Sequence, residues 1–577
     1  DETERIMERI REKEVIKRRL ASLCKDCPEI EAFILENIYL FNGAKGDPRS
    51  FDNLDKLLRE QIYRLSYWQV ATDEINYRRF FDINSLAAIR AEKPEVFLRT
   101  HDSIFRLIRE GKVTGLRIDH PDGLYNPSDY FEKLQRECFV HTMAGHAEKV
   151  TEEHGLPYGK TYIDSEITQR YEEMVSENPT AKPFYIVGEK ILLKSERMPE
   201  EWRTYSTTGY VFLNSLNGIF VETQNAKLFD RIYSTFIRDK EQYNDLVCRS
   251  KRQVMEVALT SEVNTLGYRL NRISEQDRYT RDFTLNSLVK ALVEVITFFP
   301  VYRTYINSFS INDRDRQLVE AAVAKAQRSN PAISSSIFNF VRDVLLLRCP
   351  DYFEDDKRKE WLDFVMRFQQ LTGPVMAKGV EDTTFYMYNR LVSLNEVGGS
   401  PDRFGTNLDT FHGQNIERSK FWPHAMITTT THDTKRSEDV RARINVLSEI
   451  PFEWKDHLVK WRAFNKKKKI VVDGQPVPDR NEEYLLYQTL IGTWPLEFRE
   501  SDNCATYIGR IKNYMIKAVR EAKVNSSWIS PNLVYEDAMN LFLDEIMKEK
   551  PENNFINDFK TFQRFISACG MYNSLSQ

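Results

Sequence analysis

The sequence lacks a long apolar run and an excess of basic residues. No stretch approaches the roughly 18 consecutive apolar residues that a transmembrane helix needs, and the segment from Asp1 to Leu20 has no apolar core of a signal peptide. The 82 basic and 86 acidic residues leave a formal charge of −4. No surplus of cations is therefore present to release counterions from nucleic acid or to hold an anionic membrane surface. We predict a protein that binds neither nucleic acid nor membrane.

Glycine and proline are also scarce. The 577 residues include 22 glycines and 21 prolines, against an average share of about 12% for the two types together. This scarcity excludes collagen-like and long disordered designs and favours a helix-rich chain. The chain begins with Asp1 rather than Met, which favours a piece of a longer protein.

Cysteines are few and scattered. The seven cysteines, an odd number in a large chain, are typical of reduced thiols and predict a cytoplasmic location. Cys24 and Cys27 form a single CxxC pair, and no second pair or histidines at ligand spacing follow, so no metal is predicted. Because Walker A and GxGxxG patterns are absent as well, we predict no cofactor.

A repeated helix-then-strand pattern organises much of the sequence. Three short apolar or β-branched runs each end at an acidic residue, which indicates parallel strands that deliver carboxylates to one edge of a sheet. The runs are 113–118, 184–187 and 425–431, and the acidic residues after them are Asp119, Glu189 and Asp433.

The spacing of these runs predicts the domain organisation. The gap between the second and third runs is too long for ordinary βα units and is rich in helical patterns, so it indicates a helical insertion. The predicted fold class is α/β, a partial (β/α)₈ TIM-type barrel with a large helical insertion, helix-rich overall. The predicted segments are an N-terminal helical segment (1–75), a barrel part (76–222), the helical insertion domain (223–372), a second barrel part (373–450) and a mainly helical C-terminal segment (451–577).

Carboxylates at strand ends suit the cleavage of glycosidic bonds. The reaction needs one carboxyl group that donates a proton and a second that attacks or stabilises the anomeric carbon, and barrel enzymes place such groups at the carboxyl ends of their strands. Arg117 lies two positions before Asp119, so both side chains should point the same way. We expect the guanidinium to keep that carboxylate ionised.

Taken in chain order, these regions resemble the signature regions of α-amylase-type glycoside hydrolases. The resemblance implies that Asp119 is the nucleophile, Glu189 the acid/base and Asp433 the stabiliser of the transition state. It also implies that three neighbouring side chains contact the sugar beside the scissile bond: Arg117, His120 and His432.

Longer stretches are similar to one family in that group, the maltooligosyltrehalose synthases. They are NYRRFFDIN (76–84), GLRIDHPDG (115–123), EKIL (189–192), TTGY (207–210), AKGVEDT (377–383), NEVGG (395–399), THDTKRSE (431–438) and NEEY (481–484). The resemblance implies a maltooligosaccharide or other α-glucan substrate and an intramolecular transglucosylation. The α-1,4 bond at the reducing end would become an α,α-1,1 (trehalose) bond by a retaining mechanism. The resemblance also implies that four residues at positions that match the family hold the reducing-end glucose: Lys190, Tyr210, Lys378 and Lys435.

The sequence departs from the family pattern at both ends. The family's Asp-x-x-x-Asn-His segment, at the end of an earlier barrel strand, is absent here, and the last barrel strand and a C-terminal β-sandwich would follow Gln577. We therefore expect the missing barrel strands to come from the rest of a parent chain. We also expect the 577 residues alone to turn over little substrate.

Two alternatives remain open at the level of the sequence. One is a related α-glucan hydrolase or 4-α-glucanotransferase. The other is a non-catalytic glucan-binding module that has kept the barrel motifs, although the three intact carboxylates argue against it.

Overall fold

Helices dominate the fold, as the low glycine and proline content predicts. The computed structural model describes residues 2–154, 160–193, 196–496 and 504–577. The chain divides into two units, Asp1–Ala71 and Thr72–Gln577. The smaller unit contains α1 (Glu2–Asp26), α2 (Pro28–Asn42) and α3 (Asp52–Arg59), and none of its described side chains is buried.

The larger unit opens with the segment that carries the first predicted site residues. Its elements after α4 (Ala71–Glu74) are β1 (Arg79–Phe80), β2 (Ile83–Ala87), α5 (Pro94–Arg109), β3 (Gly115–Ile118), α6 (Pro127–His154), α7 (Lys160–Glu177), β4 (Tyr185–Gly188), β5 (Ser206–Thr207) and α8 (Tyr210–Ile219). Helix α5 starts with proline at its first position, where no amide hydrogen bond is lost. Gly111, which adopts a φ of +72°, follows its end, where this left-handed conformation favours glycine.

A run of helices follows, over the predicted insertion. These are α9 (Ala226–Ile237), α10 (Tyr243–Val257), α11 (Thr260–Glu275), α12 (Leu285–Thr297), α13 (Asp313–Ser329), α14 (Ser335–Leu345) and α15 (Asp355–Met376), continued by a π-helix (Ala377–Thr384) and α16 (Phe385–Met387). Asn312 caps α13 by accepting a hydrogen bond from the amide of Asp315.

The last part of the chain is again mainly helical. It contains α17 (Leu408–Phe421), α18 (Glu438–Val446), α19 (Pro451–Asn465), the antiparallel pair β6 (Ile470–Val472) and β7 (Gln475–Val477), α20 (Arg480–Thr493), α21 (Cys504–Ala522), α22 (Leu533–Met547) and α23 (Asn554–Ser576). No helix in the described ranges is both long and apolar enough to cross a bilayer.

A small parallel sheet carries two of the three predicted strands. Its order is β3-β4-β5, with Ile118 paired to Gly188 and Gly188 paired to Thr207. The strand predicted at 425–431 is wrong, since this segment is irregular. Its threonine hydroxyls bond to nearby backbone instead, as where the Thr430 amide donates to Thr428 Oγ1 at 3.2 Å, which competes with pairing in a ladder.

Three large hydrophobic cores and a smaller one around Tyr302 and Phe385 support the larger unit. One lies under the parallel sheet and contains Phe131, Ile186 and Trp202. A second lies within residues 254–375, so the helices of the predicted insertion bury an apolar core of their own. A third joins residues 221–237 and 386–404 to the C-terminal helices. The boundaries of the five segments given above stay a prediction.

Candidate active site

Asp119 and Glu189 lie side by side at the carboxyl edge of the parallel sheet. Each follows directly on its strand, and the Glu189 amide donates to the Ile118 carbonyl at 2.9 Å. Because register partners in parallel strands share a face, both side chains leave the sheet on the face that also carries Arg117.

Tyr210 joins two of the three predicted carboxylates. Its hydroxyl lies 3.1 Å from Asp433 Oδ2 and 3.4 Å from Glu189 Oε1. Oxygen and nitrogen atoms of Glu189, His432 and Asp433 all lie within 4.8 Å of one another. Burial raises the pKa of Tyr210 to about 12, so its hydroxyl keeps its proton at neutral pH and acts as a donor. The structure therefore brings together segments that are far apart in sequence.

Arg117 makes a different contact from the predicted one. Its guanidinium donates to Glu189 Oε1 across β3 and β4, whereas no hydrogen bond or ion pair among the described residues uses the exposed Asp119 carboxylate. The expectation that Arg117 pairs with Asp119 is thus corrected. The long arginine side chain reaches across to the carboxylate that follows the neighbouring strand.

His120 follows Asp119 in a left-handed backbone conformation, with a φ of +45°. Its ring lies 4.5 Å from the ring of Phe81, measured between centroids. Burial lowers the pKa of this histidine, so it is neutral at pH 7. A neutral imidazole can both donate and accept, as contacts with sugar hydroxyls require.

Lys190 lies in a buried ion-pair cluster rather than at the open site. Its side chain has no exposed surface, and its ammonium lies 3.1 Å from Glu196 and 3.3 Å from Asp122. The ammonium also donates to the Ile191 carbonyl at 2.8 Å. The expected sugar contact of Lys190 is not seen in this arrangement, since burial and two carboxylates hold it in the loop after β4.

Lys378 and Lys435 share one carboxylate. Each ammonium lies 3.2 Å from an oxygen of Asp382. Lys378 also contacts Asp82 at 3.2 Å and lies over the ring of Phe81, which in turn contacts His120. In spite of burial, Asp382 and Asp82 raise the pKa of Lys378 above its ordinary value, and Tyr386 and then Asp382 raise the pKa of Lys435. Both are therefore charged and lie in the neighbourhood of the site.

Sequence reasoning missed two acidic residues that hold this neighbourhood together. Asp382 follows Lys378 by four positions, so one face of the helix carries both. Glu396 is buried and accepts from the amides of Lys435 and Arg436, each at 2.7 Å. It thereby fixes the segment that follows Asp433. Both residues lie inside stretches that resemble the family named above, and this resemblance is the feature of the sequence that could have identified them.

The site is open to solvent. The side chains of His432 and Asp433 are 66% and 45% exposed. Two cavities of about 900 Å³ each in the described ranges are lined by other residues. Glu189, His432 and Asp433 offer donor atoms to a cation. However, the Arg117 guanidinium already neutralises Glu189, which disfavours a metal there.

Comparison with known proteins relates the chain to one group of enzymes. A search of family models finds no match. The chain is 29% identical over 487 residues to a putative maltooligosyl trehalose synthase from Mycobacterium tuberculosis, which covers 84% of this chain and 53% of the relative.

Solved structures give the same relation. Maltooligosyltrehalose synthase from Arthrobacter ramosus is 30% identical with a TM-score of 0.70, over 92% of this chain and 57% of that one. The DSM5389 glycosyltrehalose synthase is 32% identical with a TM-score of 0.65, over 90% and 55%. The chain spans about half the length of the curated relatives that it matches. Over the matched region, the chain is similar to maltooligosyltrehalose synthases in sequence and in fold.

Proposed function

We propose that this chain forms the catalytic core of an enzyme that converts the reducing-end α-1,4 bond of a maltooligosaccharide to an α,α-1,1 bond. The observation that carries the proposal is the convergence of Glu189 and Asp433 on the Tyr210 hydroxyl, at the sheet edge that also bears Asp119. The homology to maltooligosyltrehalose synthases supports the same reaction.

The proposal includes a partial (β/α)₈ barrel. Three adjacent parallel strands follow one another in chain order, and helices α6 and α7 lie between the first two. Site residues at the carboxyl ends of the strands are typical of such barrels. The remaining strands would come from other parts of a parent chain.

The three carboxylates have separate roles in this mechanism, in which Asp433 stabilises the transition state and the other two make and break bonds. Glu189 protonates the glycosidic oxygen while Asp119 attacks the anomeric carbon, which gives a glycosyl-enzyme and a free glucose. The glucose turns within the site. Its anomeric hydroxyl then loses its proton to Glu189 and attacks the glycosyl-enzyme, which releases Asp119. Two inversions at one carbon give net retention, for which carboxyl groups about 5–5.5 Å apart are expected.

Arg117 must change partner during this cycle. Its contact with Glu189 favours the ionised carboxylate, whereas a general acid has to be protonated. The side chain is partly exposed and leaves β3 on the same face as Asp119. We propose that bound substrate turns Arg117 from Glu189 towards the Asp119 carboxylate, which frees Glu189 to hold a proton.

The surrounding side chains have supporting roles. His120 and His432 contact the sugar at the cleavage point, and Lys378 and Lys435 hold the reducing-end glucose. Lys190, by contrast, positions the loop after Glu189 through its buried ion pairs.

Product analysis tests the proposal. The complete reading frame that encodes these residues is expressed, and the purified protein is incubated with maltopentaose. We expect reducing ends to disappear without release of glucose, and an α,α-1,1 linkage to appear in the NMR spectrum. Free glucose would instead identify a hydrolase, a ladder of longer and shorter chains would identify a 4-α-glucanotransferase, and an unchanged substrate would overturn the proposal.

A further inference from the structure

A cleft separate from the three carboxylates lies where α9 and α10 meet the segment after the π-helix. It has a volume of about 900 Å³, and four tyrosines line it: Tyr233, Tyr243, Tyr386 and Tyr388. The rings of Tyr243 and Tyr388 lie 5.1 Å apart and those of Tyr233 and Tyr388 lie 5.7 Å apart, so they form one aromatic wall. None of the predicted site residues lines this cleft.

Three of the four tyrosines have a hydroxyl available for a ligand. Tyr233 donates to protein oxygens, but no hydrogen bond among the described residues uses the hydroxyl of Tyr243, Tyr386 or Tyr388. Burial raises the pKa of Tyr388 to about 12, so this hydroxyl stays a donor at neutral pH. Tyr243 and Tyr388 are half-buried and Tyr386 is buried, and cleft-lining hydroxyls without a hydrogen bond to protein are typical of a surface that binds polar groups from outside.

An unpaired carboxylate lines the same cleft. Asp402 is exposed and borders the cleft together with Tyr243 and Tyr388. No ion pair among the described residues uses this carboxylate, whereas Arg390 lies over the Tyr388 ring and pairs with Asp230. Ring faces, free hydroxyls and a free carboxylate together offer both stacking and hydrogen bonds.

The charge of the lining favours an uncharged ligand. Acidic and basic side chains occur in similar numbers around the cleft, so no net field selects an anion or a cation. An uncharged ligand rich in hydroxyls suits this chemistry, since its apolar ring faces stack on aromatic rings and its hydroxyls bond to charged and polar groups.

We propose that this tyrosine cleft is a second α-glucan-binding site, separate from the carboxylates that carry the chemistry. The choice of α-glucan rests on the proposed function. The cleft lies close to the proposed reaction centre, since the Tyr386 ring contacts the Lys435 ammonium at 5.1 Å and Lys435 follows Asp433 by two residues. A chain held here raises the local concentration of substrate at the carboxylates.

Binding measurements with two probes test the inference. Maltoheptaose and β-cyclodextrin, which has no reducing end to convert, are titrated calorimetrically into the Glu189→Gln protein. We expect β-cyclodextrin to bind, and the added pair Tyr243→Phe and Tyr388→Phe to weaken that binding at least about tenfold. Loss of the hydroxyls alone keeps both rings, so the fold should be unaffected. Tyr268→Phe on the exposed face of α11 is the matched control and should change nothing.

The outcomes separate this inference from the proposed function. In the active protein, the paired substitutions should raise KM for long amylose while leaving maltotriose turnover unchanged. Failure of both probes to bind, or binding that is indifferent to the two hydroxyls, overturns the inference even if the trehalose product forms. If no such product forms but binding depends on these tyrosines, the proposed reaction fails and the glucan site stands.

Discussion

Tyr210 illustrates what one hydroxyl contributes at the scale of a residue. It is a buried side chain that holds Glu189 and Asp433 by hydrogen bonds. A hydrogen bond to a charged group contributes about 1.5–3 kcal/mol. We predict that Tyr210→Phe lowers kcat about 10- to 100-fold and shifts the acidic limb of the pH profile, while the melting temperature changes little.

A neighbouring tyrosine gives the control for this prediction. Tyr205 precedes β5, and its hydroxyl donates to the Lys182 carbonyl, away from the carboxylates. Tyr205→Phe should keep kcat within about twofold. Equal losses for the two substitutions would show that Tyr210 acts only through the fold.

Two substrates with different leaving groups can distinguish the role of Asp119 from that of Glu189. Asp119→Asn and Glu189→Gln should each abolish nearly all conversion of maltopentaose, with unchanged circular dichroism. A maltosyl fluoride needs no protonation of its leaving group, so Glu189→Gln should still react with it and Asp119→Asn should not. Asp409→Asn, on α17, is the inert control. The reverse pattern would exchange the two roles.

Glu381 makes stability depend on pH. This glutamate is buried, and burial raises its pKa to about 7. The folded state therefore holds a proton that the unfolded state has lost between roughly pH 4.5 and 7. Its contribution to the free energy of unfolding falls as pH rises through that window, by up to about 3 kcal/mol.

Replacing Glu381 by glutamine tests this dependence. A glutamine carbonyl can still accept from Tyr302 and from the Gly398 amide. We predict that the free energy of unfolding of Glu381→Gln, measured by denaturation, is close to that of the wild type at pH 5. At pH 8 the variant should be more stable than the wild type. Glu256→Gln, an exposed position on α10, should show no such trend. A difference that is constant with pH would contradict the prediction.

At the scale of an element, the packing of α5 against α6 depends on one glycine. A Cβ atom on Gly145 would lie 1.9 Å from the Arg109 carbonyl, a backbone atom that cannot move aside alone. We predict that Gly145→Ala destabilises the protein by more than about 2 kcal/mol, measured by urea denaturation.

A second helical glycine makes the matched control. No atom lies within 4 Å of a Cβ built on Gly413 in α17. Gly413→Ala should therefore stabilise the protein by about 0.5–1 kcal/mol through helix propensity. Similar effects at both positions would show that α5 and α6 do not approach each other in this way.

The strands show where local patterns succeed and fail. Residues 113–118 and 184–187 carry apolar side chains that enter one core, so the sequence pattern predicts β3 and β4 correctly. Residues 425–431 have the β-branched composition of a strand, yet hydroxyl groups bond within the segment. The third strand is the two-residue β5, which is too short to show the alternating side-chain pattern of a strand.

At the scale of the whole molecule, burial is unequal between the two units. No described side chain of residues 2–71 is buried, whereas residues 482–492 of α20 are all buried. Local opening costs least where few apolar contacts are lost. We predict that amides of α1 and α2 exchange with deuterium on the order of 100-fold faster than those of α20. Similar exchange rates would show that the smaller unit is protected in another way.

The sequence by itself determined which segments bring acidic side chains to the sheet edge. Strand runs, helix ends and the residues that follow them are local features, so the sequence alone places Asp119 and Glu189 at the ends of their strands. The helical content and the helical stretch before Asp433 followed from composition and periodicity in the same way.

Only the tertiary structure decided which side chains meet. Arg117 binds Glu189 rather than Asp119, Lys190 is buried between two carboxylates, and the tyrosine cleft joins segments from separate parts of the chain. The physical reason is that ion pairs and hydrogen bonds depend on distances of a few ångströms between segments remote in sequence. Local patterns fix where a side chain leaves its strand or helix, but not which partner it finds there.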